Sequence, residues 1–591
     1  MTARADLEAL ARRGIGWVAD NRQRFDPGAP GTRPGSQGDK ALVELAVMAR
    51  RLTEAPAGHD EMAGIRELLE DVLAGPRYQE RSIRSRSDAV ATAFLLGAVD
   101  KASDAARSPR RMLQRIVDAG VLDGLERPVH RVMEERLALE WAGVSHSLPA
   151  WEELMAGSLL AATPNAVFLG KAAAYQLTHI VLYLTGFGSR APARAVHGVE
   201  EQRQRFTTLI VRFALREHWD LVAELLLSWA CLGLGPSGTC DGAWQRLLGQ
   251  VAPDGSLHAI SGESDSAPGC EQWFHDRYHT TLVAVMAAET WLLRGAGTLP
   301  SHRAGAAARD VAATTELARE VAAAEVDWLA SRLDDGREQH VRTPCSVLVG
   351  IWICGALSPA AGERLAAVAA PVAAALDGDH QWTELPAALA FVAYGILARR
   401  ELAPDGLRRY VTAAAGALAD SPPDDLSLDE ARRLLHRLGL VAAPPGAPAE
   451  ALLQAAQRVA SDPTDGNAQQ LLLTAESRTA YGAAPPCGPS WVGELLFGLA
   501  VNRARADDLV AAGRATRAAV HVGGGRASAA YELARYMACR QRPEDAHGSA
   551  GSRHDEAGDG EESLAARLAG SLSVVWTLAE VTTDWRLATA L

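Results

Sequence analysis
The chain has 591 residues, about four times the usual length of a single domain, so two or more domains are expected. Hydrophobic residues make up 48% and charged residues 22%, ordinary globular values that exclude wholesale disorder. With 59 basic against 72 acidic side chains the formal charge is −13, which offers no basic footprint and argues against nucleic acid as a partner.

The first segment, MTARADLEALARRG, reads as a charged amphipathic helix and not as a signal peptide, because no apolar core follows a basic start. No uninterrupted apolar run reaches the roughly 18 residues that span a bilayer; the tract LVAELLLSWACLGLG carries an acid and breaks at glycine. The seven cysteines, at 231, 240, 270, 345, 354, 487 and 539, form neither a CxxC pair nor a dense framework. A cytoplasmic, non-membrane protein with reduced thiols is the expectation. Only three lysines occur, Lys40, Lys101 and Lys171; with the abundance of alanine this reads as a high-GC bacterial genome.

Apolar residues recur at helical spacing nearly throughout, and the alternation of strands is essentially absent. After a Pro/Gly-rich stretch at 26–38, DEMAGIRELLEDVLAG (60–75) places Met62, Ile65, Leu68, Leu69 and Val72 on one face and Gly75 at the stop. Three later helices, RSDAVATAFLLGAVDKA, VFLGKAAAYQLTHIVLYLTGFG and YHTTLVAVMAAETWLLRG, are apolar nearly all round, the pattern of a bundle core or inner ring. Roughly twenty helices with short connections predict an all-α protein.

Further punctuation falls at 296–305, 442–448 and 541–562, the last polar and expected to be mobile. The break near 300 divides the chain into an N-terminal domain (1–300) and a C-terminal one (301–591). Three segment pairs match in order with an offset near three hundred: 77–102 with 379–402, 134–143 with 429–440, and 278–297 with 569–588. They predict two related halves, an internal pseudo-duplication that makes one chain a pseudo-dimer and a monomer the expected state.

The halves differ in polar content. His179 and His279 lie in apolar helices, whereas the matching places in the second half fall near Ala475 and Ala569. An unpartnered buried imidazole costs roughly 1–3 kcal/mol, so packing alone explains this asymmetry poorly; the second half reads as a degenerate copy. CEQWFHDRYH (270–279) puts Glu271, His275 and His279 at successive i, i+4 positions, so a single helix would present a carboxylate and two imidazoles on one face. Two histidines at that spacing can chelate one metal. Cys270 opens this segment and Cys240–Asp241 precedes it by about thirty residues. Imidazole, thiolate and carboxylate together favour Zn²⁺, while histidine with carboxylates alone equally suits Fe or Mn. The plainer alternative makes His275 and Asp276 exposed polar residues at a helix start and His279 a satisfied core histidine. The acidic DDLSLDE (424–430) reads as a loop and helix cap, and GGGR (523–526) as a turn.

RYHTTLVAVMAAE resembles the helix of protein prenyltransferase β subunits that supplies a zinc-binding histidine, and GTCDGAW is similar to the segment that supplies their other ligands. QVAPDGSL (250–257) is similar to the turn repeats of squalene-cyclase-like α/α toroids, with Leu257 where those repeats favour Trp. The resemblance covers about sixty residues. It implies paired inner and outer helices around a central cavity with a site at one mouth, a ligand role for His279, and the same role for Cys240 and Asp241.

The reading is a divalent-metal enzyme of bacterial metabolism, secondary metabolism included, with transferase or cyclase-like chemistry. It would act on a largely apolar small molecule or peptide in a cavity that includes Tyr175, Trp273 and Tyr278, with the metal, zinc before iron, among His179, His275, His279, Cys240, Asp241, Cys270 and Glu271. Two alternatives stand beside it: a non-catalytic helical-repeat scaffold for a protein partner, and a dimetal oxidase built on Glu271, Asp276 and His279.

Overall fold
The computed structural model describes residues 4–28, 36–53, 61–75, 85–122, 126–162, 164–190, 199–235, 237–260, 266–267, 269–294, 308–334, 341–355, 357–377, 385–414, 431, 434–435, 449–462, 464–479, 490–522, 527–541, and 569–579 apart from 571 and 575. The expectations for 424–430, 442–448, 523–526 and nearly all of 541–562 lie outside these residues. The protein is all-α: among the described residues there is no strand, only an isolated bridge between His218 and Ile260. The chain divides into two compact units, Met1–Arg303 with Ala460–Asp462, and the remainder.

In the first unit the helices are α1 (Arg4–Asp20), α2 (Ser36–Leu52), α3 (Glu61–Ala74), α4 (Arg86–Ala98), α5 (Asp104–Asp118), α6 (Val129–Ala142), α7 (Trp151–Ala156), α8 (Leu159–Ala162), α9 (Lys171–Leu184), α10 (Val199–Leu215), α11 (Trp219–Leu232), α12 (Gly238–Gly249), α13 (Glu271–His275) and α14 (Tyr278–Arg294). Their pairings run in a closed circuit: α2 packs on α4, α4 on α6, α6 on α9, α9 on α11, α11 on α14, and α14 back on α2. The remaining helices flank its members; α1 lies on α14, α3 and α5 on α4, α10 and α12 on α11.

The sequence accounts for this division. In α3 the residues Met62, Ile65, Leu69 and Leu73 are buried, one stripe at i, i+3, i+4 spacing with charged residues opposite, as a flanking helix requires. In α11 all fourteen positions, Trp219 to Leu232, are buried, as befits a member with neighbours on every side. One continuous apolar core extends from Leu7 to Ala288. Two contacts depend on missing side chains. A Cβ on Gly97 of α4 would stand 2.8 Å from the Trp141 Cβ of α6, and one on Gly14 of α1 would stand 2.5 Å from Val285 of α14. The QVAPDGSL segment forms a tight turn, with Gly255 N donating to Ala252 O and Ala252 N to Ser256 O. Just beyond it, Leu257 N donates to Thr281 Oγ1, tying the turn to the first turn of α14.

In the second unit, Arg342–Gly355 packs on Ala308–Asp334, Pro359–Ala375 and Ala387–Ala398, and Leu509–Val522 packs on Asp465–Thr479, Ser490–Arg505 and Ala527–Gln541. Its interior holds a bidentate ion pair, Arg514 Nε and Nη2 to Glu476 at 2.9 and 3.0 Å, with both side chains buried. Nearby, the Arg517 guanidinium lies 4.2 Å from the Trp576 ring centroid and donates to Thr577 Oγ1 at 3.0 Å.

Candidate functional site
The six helices of the circuit jointly line a cavity of about 1010 Å³. Its wall combines aliphatic and aromatic side chains, Val43, Val47, Phe94, Leu182, Leu282 and Met286 among them, with charged and polar ones. Polar groups converge where α2, α11 and α14 meet. His279, on the second residue of α14, presents both ring nitrogens to carboxylates. Nδ1 donates to Glu44 Oε2 of α2 at 2.7 Å, and Nε2 lies 3.0 Å from Asp220 Oδ1 and 3.2 Å from Glu224 Oε1, both of α11. Asp220 and Glu224 are four residues apart, so they share one helix face. Their side chains are only 9% and 2% exposed, a position that charged groups occupy only when paired.

A second layer orients these carboxylates from α9. The Tyr175 hydroxyl donates to Asp220 Oδ2 and the Thr178 hydroxyl to Glu224 Oε2. His179, one turn further along α9, donates from Nδ1 to Tyr175 O at 2.6 Å, which leaves Nε2 as the acceptor nitrogen of that ring. Lys40 Nζ reaches Glu44 Oε1 at 3.5 Å from a largely exposed position.

Burial alone would push the Asp220 carboxyl up; the His279 imidazolium beside it and the hydrogen bonds from His279 and Tyr175 outweigh that and hold it well below the usual carboxylate range. Burial also works against Glu44, and again the charge of His279 prevails and lowers it. For His279, burial favours the neutral ring, but the charges of Glu44 and Asp220 raise it well above an ordinary imidazole. Burial and then the neighbouring carboxylates drive Tyr175, Tyr183 and Tyr278 up, so all three remain hydrogen-bond donors at neutral pH.

Asp220, Glu224 and His279 offer three ligand atoms within 4.8 Å of one another, and they are the one such group among the described residues. Two carboxylates and an imidazole suit a divalent ion of the iron, manganese or zinc type. Glu44, Asp220 and Glu224 bring three negative charges against His279 and Lys40, so the cluster retains excess negative charge even with a protonated ring. Asp220 Oδ1 is buried against His279 Nε2 at 3.0 Å.

The residues singled out from sequence fall in three places. His279, His179 and Tyr175 line the cavity. Glu271 and His275 lie on α13, where His275 Nε2 stands 3.7 Å from Glu271 Oε1 and the ring contacts Phe274 and Tyr278. The single helix expected across 271–279 is interrupted at Asp276–Arg277, where Arg277 N bonds to Phe274 O three residues back. The interruption takes Glu271 and His275 off the face that carries His279. Asp276 accepts from Gln272 and Ser266. Cys240 is buried in the core on α12 with Asp241 beside it, and Cys270 caps α13, its Sγ accepting from Trp273 N. Trp273 packs against Trp17, and Tyr278 stacks on Phe274 behind His279. Sequence reasoning missed Glu44, Asp220 and Glu224. The available signal was the pair of acids spaced i, i+4 within WDLVAELLLSWACL, an otherwise apolar helix.

Residues 11–289 match the family model described as a domain of unknown function (DUF6895). That span encloses α2 through α11 and α14 as far as Glu289, and so every residue of the His279 cluster. No curated protein and no solved structure matches the chain. Among the described residues no helix is long and apolar enough to cross a membrane.

Proposed function
We propose that the first unit is a divalent-metal-dependent enzyme with a largely apolar small-molecule or peptide substrate, and that Asp220, Glu224 and His279 are its metal ligands. The observation that carries this reading is the convergence of two buried carboxylates and an imidazole at the wall of a cavity of about 1010 Å³ whose surface is more apolar than polar. The closed circuit of helices with flanking partners supports an α/α-toroid architecture, and with it the local resemblance to toroid enzymes that sequence suggests. The second unit is then the related, degenerate copy.

A divalent ion held there would supply Lewis acidity toward a substrate oxygen. Tyr175 and Thr178 would fix the carboxylates in place, as outer-shell hydrogen bonds do for metal ligands. His179, with its acceptor nitrogen in the same cavity, is positioned to take a proton from bound substrate. The donor set contains no thiolate, so iron and manganese become as suitable as zinc.

Elemental analysis of the purified protein tests the reading. One equivalent of iron, manganese or zinc is expected, and Asp220→Asn and His279→Ala should each lose it while retaining helical circular dichroism. A metal-free wild-type protein that takes up none of these ions on titration, with both variants silent, would overturn the metal enzyme in favour of a helical-repeat scaffold.

A further inference from the structure
The imidazole of His279 can serve an ion beside Asp220 and Glu224 only with Nε2 turned toward those acids. A half-turn of the ring about its Cβ–Cγ bond would put carbon where each nitrogen now stands. What opposes that half-turn comes from α2. Lys40, Val43, Glu44 and Val47 line the cavity at i, i+3, i+4 and i+7 spacing, one face of that helix, while Leu42, Leu45 and Met48 are buried. Packing of α2 against both α4 and α14 keeps this face inward.

Glu44 Oε2 accepts from His279 Nδ1 at 2.7 Å, the shortest of the contacts between the ring and the three carboxylates around it. Its other oxygen, Oε1, faces Lys40 Nζ at 3.5 Å, one turn nearer the start of the helix. The carboxylate is thus engaged at both oxygens, with its side chain only 20% exposed. It stands apart from the ligand atoms. Nδ1 and Nε2 leave the imidazole on different edges, so an oxygen bonded to Nδ1 is directed away from an ion on Nε2. The group whose ligand atoms lie within 4.8 Å of one another comprises Asp220, Glu224 and His279, without Glu44. From α9, the Tyr175 and Thr178 hydroxyls hold the two acids; the ring is held from α2.

We propose that Glu44 is the positioning residue of the metal centre, holding the His279 ring with Nε2 toward the ion and strengthening that nitrogen as a donor through its negative charge. A carboxylate on the far nitrogen of a metal-bound imidazole fixes both its tautomer and its orientation, and raises its basicity. The tautomer with hydrogen on Nδ1 is the one that leaves the Nε2 lone pair for a cation, and Glu44 favours it by accepting that hydrogen. This inference rests on the reading that Asp220, Glu224 and His279 bind a divalent ion, and it adds the side chain that makes the imidazole a competent ligand.

Titration of the full-length protein with Zn²⁺ against a chromophoric chelator tests it, in wild type, Glu44→Gln and Glu44→Ala. Glutamine keeps an oxygen for Nδ1 without the charge, and alanine keeps neither. Binding should weaken by about tenfold in Glu44→Gln and by about a hundredfold in Glu44→Ala, the two ends of the range for outer-shell partners. The visible spectrum of Co²⁺-loaded protein should shift in both variants, which a merely structural role of Glu44 would not cause. Glu44→Gln with wild-type Zn²⁺ affinity and an unshifted Co²⁺ spectrum overturns the role, whether or not Glu44→Ala folds. Loss of stability in the ion-free variants with unchanged affinity overturns it as well. The metal centre is judged apart, on the wild type. Wild-type protein that binds neither ion discards the centre and its positioning residue together, whereas wild-type protein that binds both, with Glu44→Gln unchanged, discards the role of Glu44 alone.

Discussion

His279 is surrounded by acids, and this determines how the cluster responds to pH. Its raised value means that its contribution to stability is present in full below the unfolded value near 6.5 and is lost as pH rises through the folded value. Asp220 and Glu44 run the other way. Their values are depressed, so their contribution is present above the unfolded values of 3.8 and 4.5 and is lost as pH falls through the folded ones. Ion-free protein should therefore have its highest urea midpoint between these limits, with one decline on the acid side and another above neutrality. A bound divalent ion must displace the proton of His279, so metal affinity should rise with pH over the range in which ion-free stability falls. Tyr175→Phe removes the hydroxyl that holds Asp220 and should weaken metal binding by about tenfold, the usual effect of losing an outer-shell partner; competition against a chromophoric chelator measures it. His179, His279 and Tyr175 were legible in the sequence because polar rings in apolar helices are conspicuous. Glu224 was not, because an acid inside LVAELLLSWACLGLG counts first as evidence against a membrane span, and Asp220 directly precedes that tract. The value of either acid as a ligand emerges only when α14 delivers an imidazole to it.

At the scale of elements, 3.6-residue periodicity was sufficient to predict an all-helical chain and to separate a flanking helix such as α3 from the nearly all-apolar circuit helices α4, α9 and α14. It failed over 271–279, where the i, i+4 spacing of Glu271, His275 and His279 runs unbroken through a turn. No side-chain pattern marks Asp276–Arg277 as the interruption; at that junction Phe274 stacks on Tyr278 across the break, and Phe25, from far earlier in the chain, meets both edge-on. Helix contacts that require glycine are equally silent in a hydropathy profile. Gly97→Leu would drive a side chain into Trp141 and should destabilise the first unit by about 1–3 kcal/mol, the usual range for overpacking, read as a lower denaturation midpoint.

Across the whole molecule, the second unit depends on an internal charge pair that composition alone does not reveal. Glu476→Ala would leave Arg514 buried without its carboxylate, and a loss of about 3–5 kcal/mol in that unit is expected from chemical denaturation, because an uncompensated interior charge is far costlier than the pair. In the first unit the decisive long-range feature is the closure of α14 onto α2. Glu44 and His279 lie 235 positions apart, so the cluster around His279 does not exist until nearly half the polypeptide has been synthesised. A nascent chain halted before α14 would expose the inward apolar faces of its first five circuit helices, with two uncompensated acids among them. It is such an intermediate that chaperones engage and aggregation consumes, and under the proposed function capture of a cation would report the moment at which the circuit of the first unit has closed.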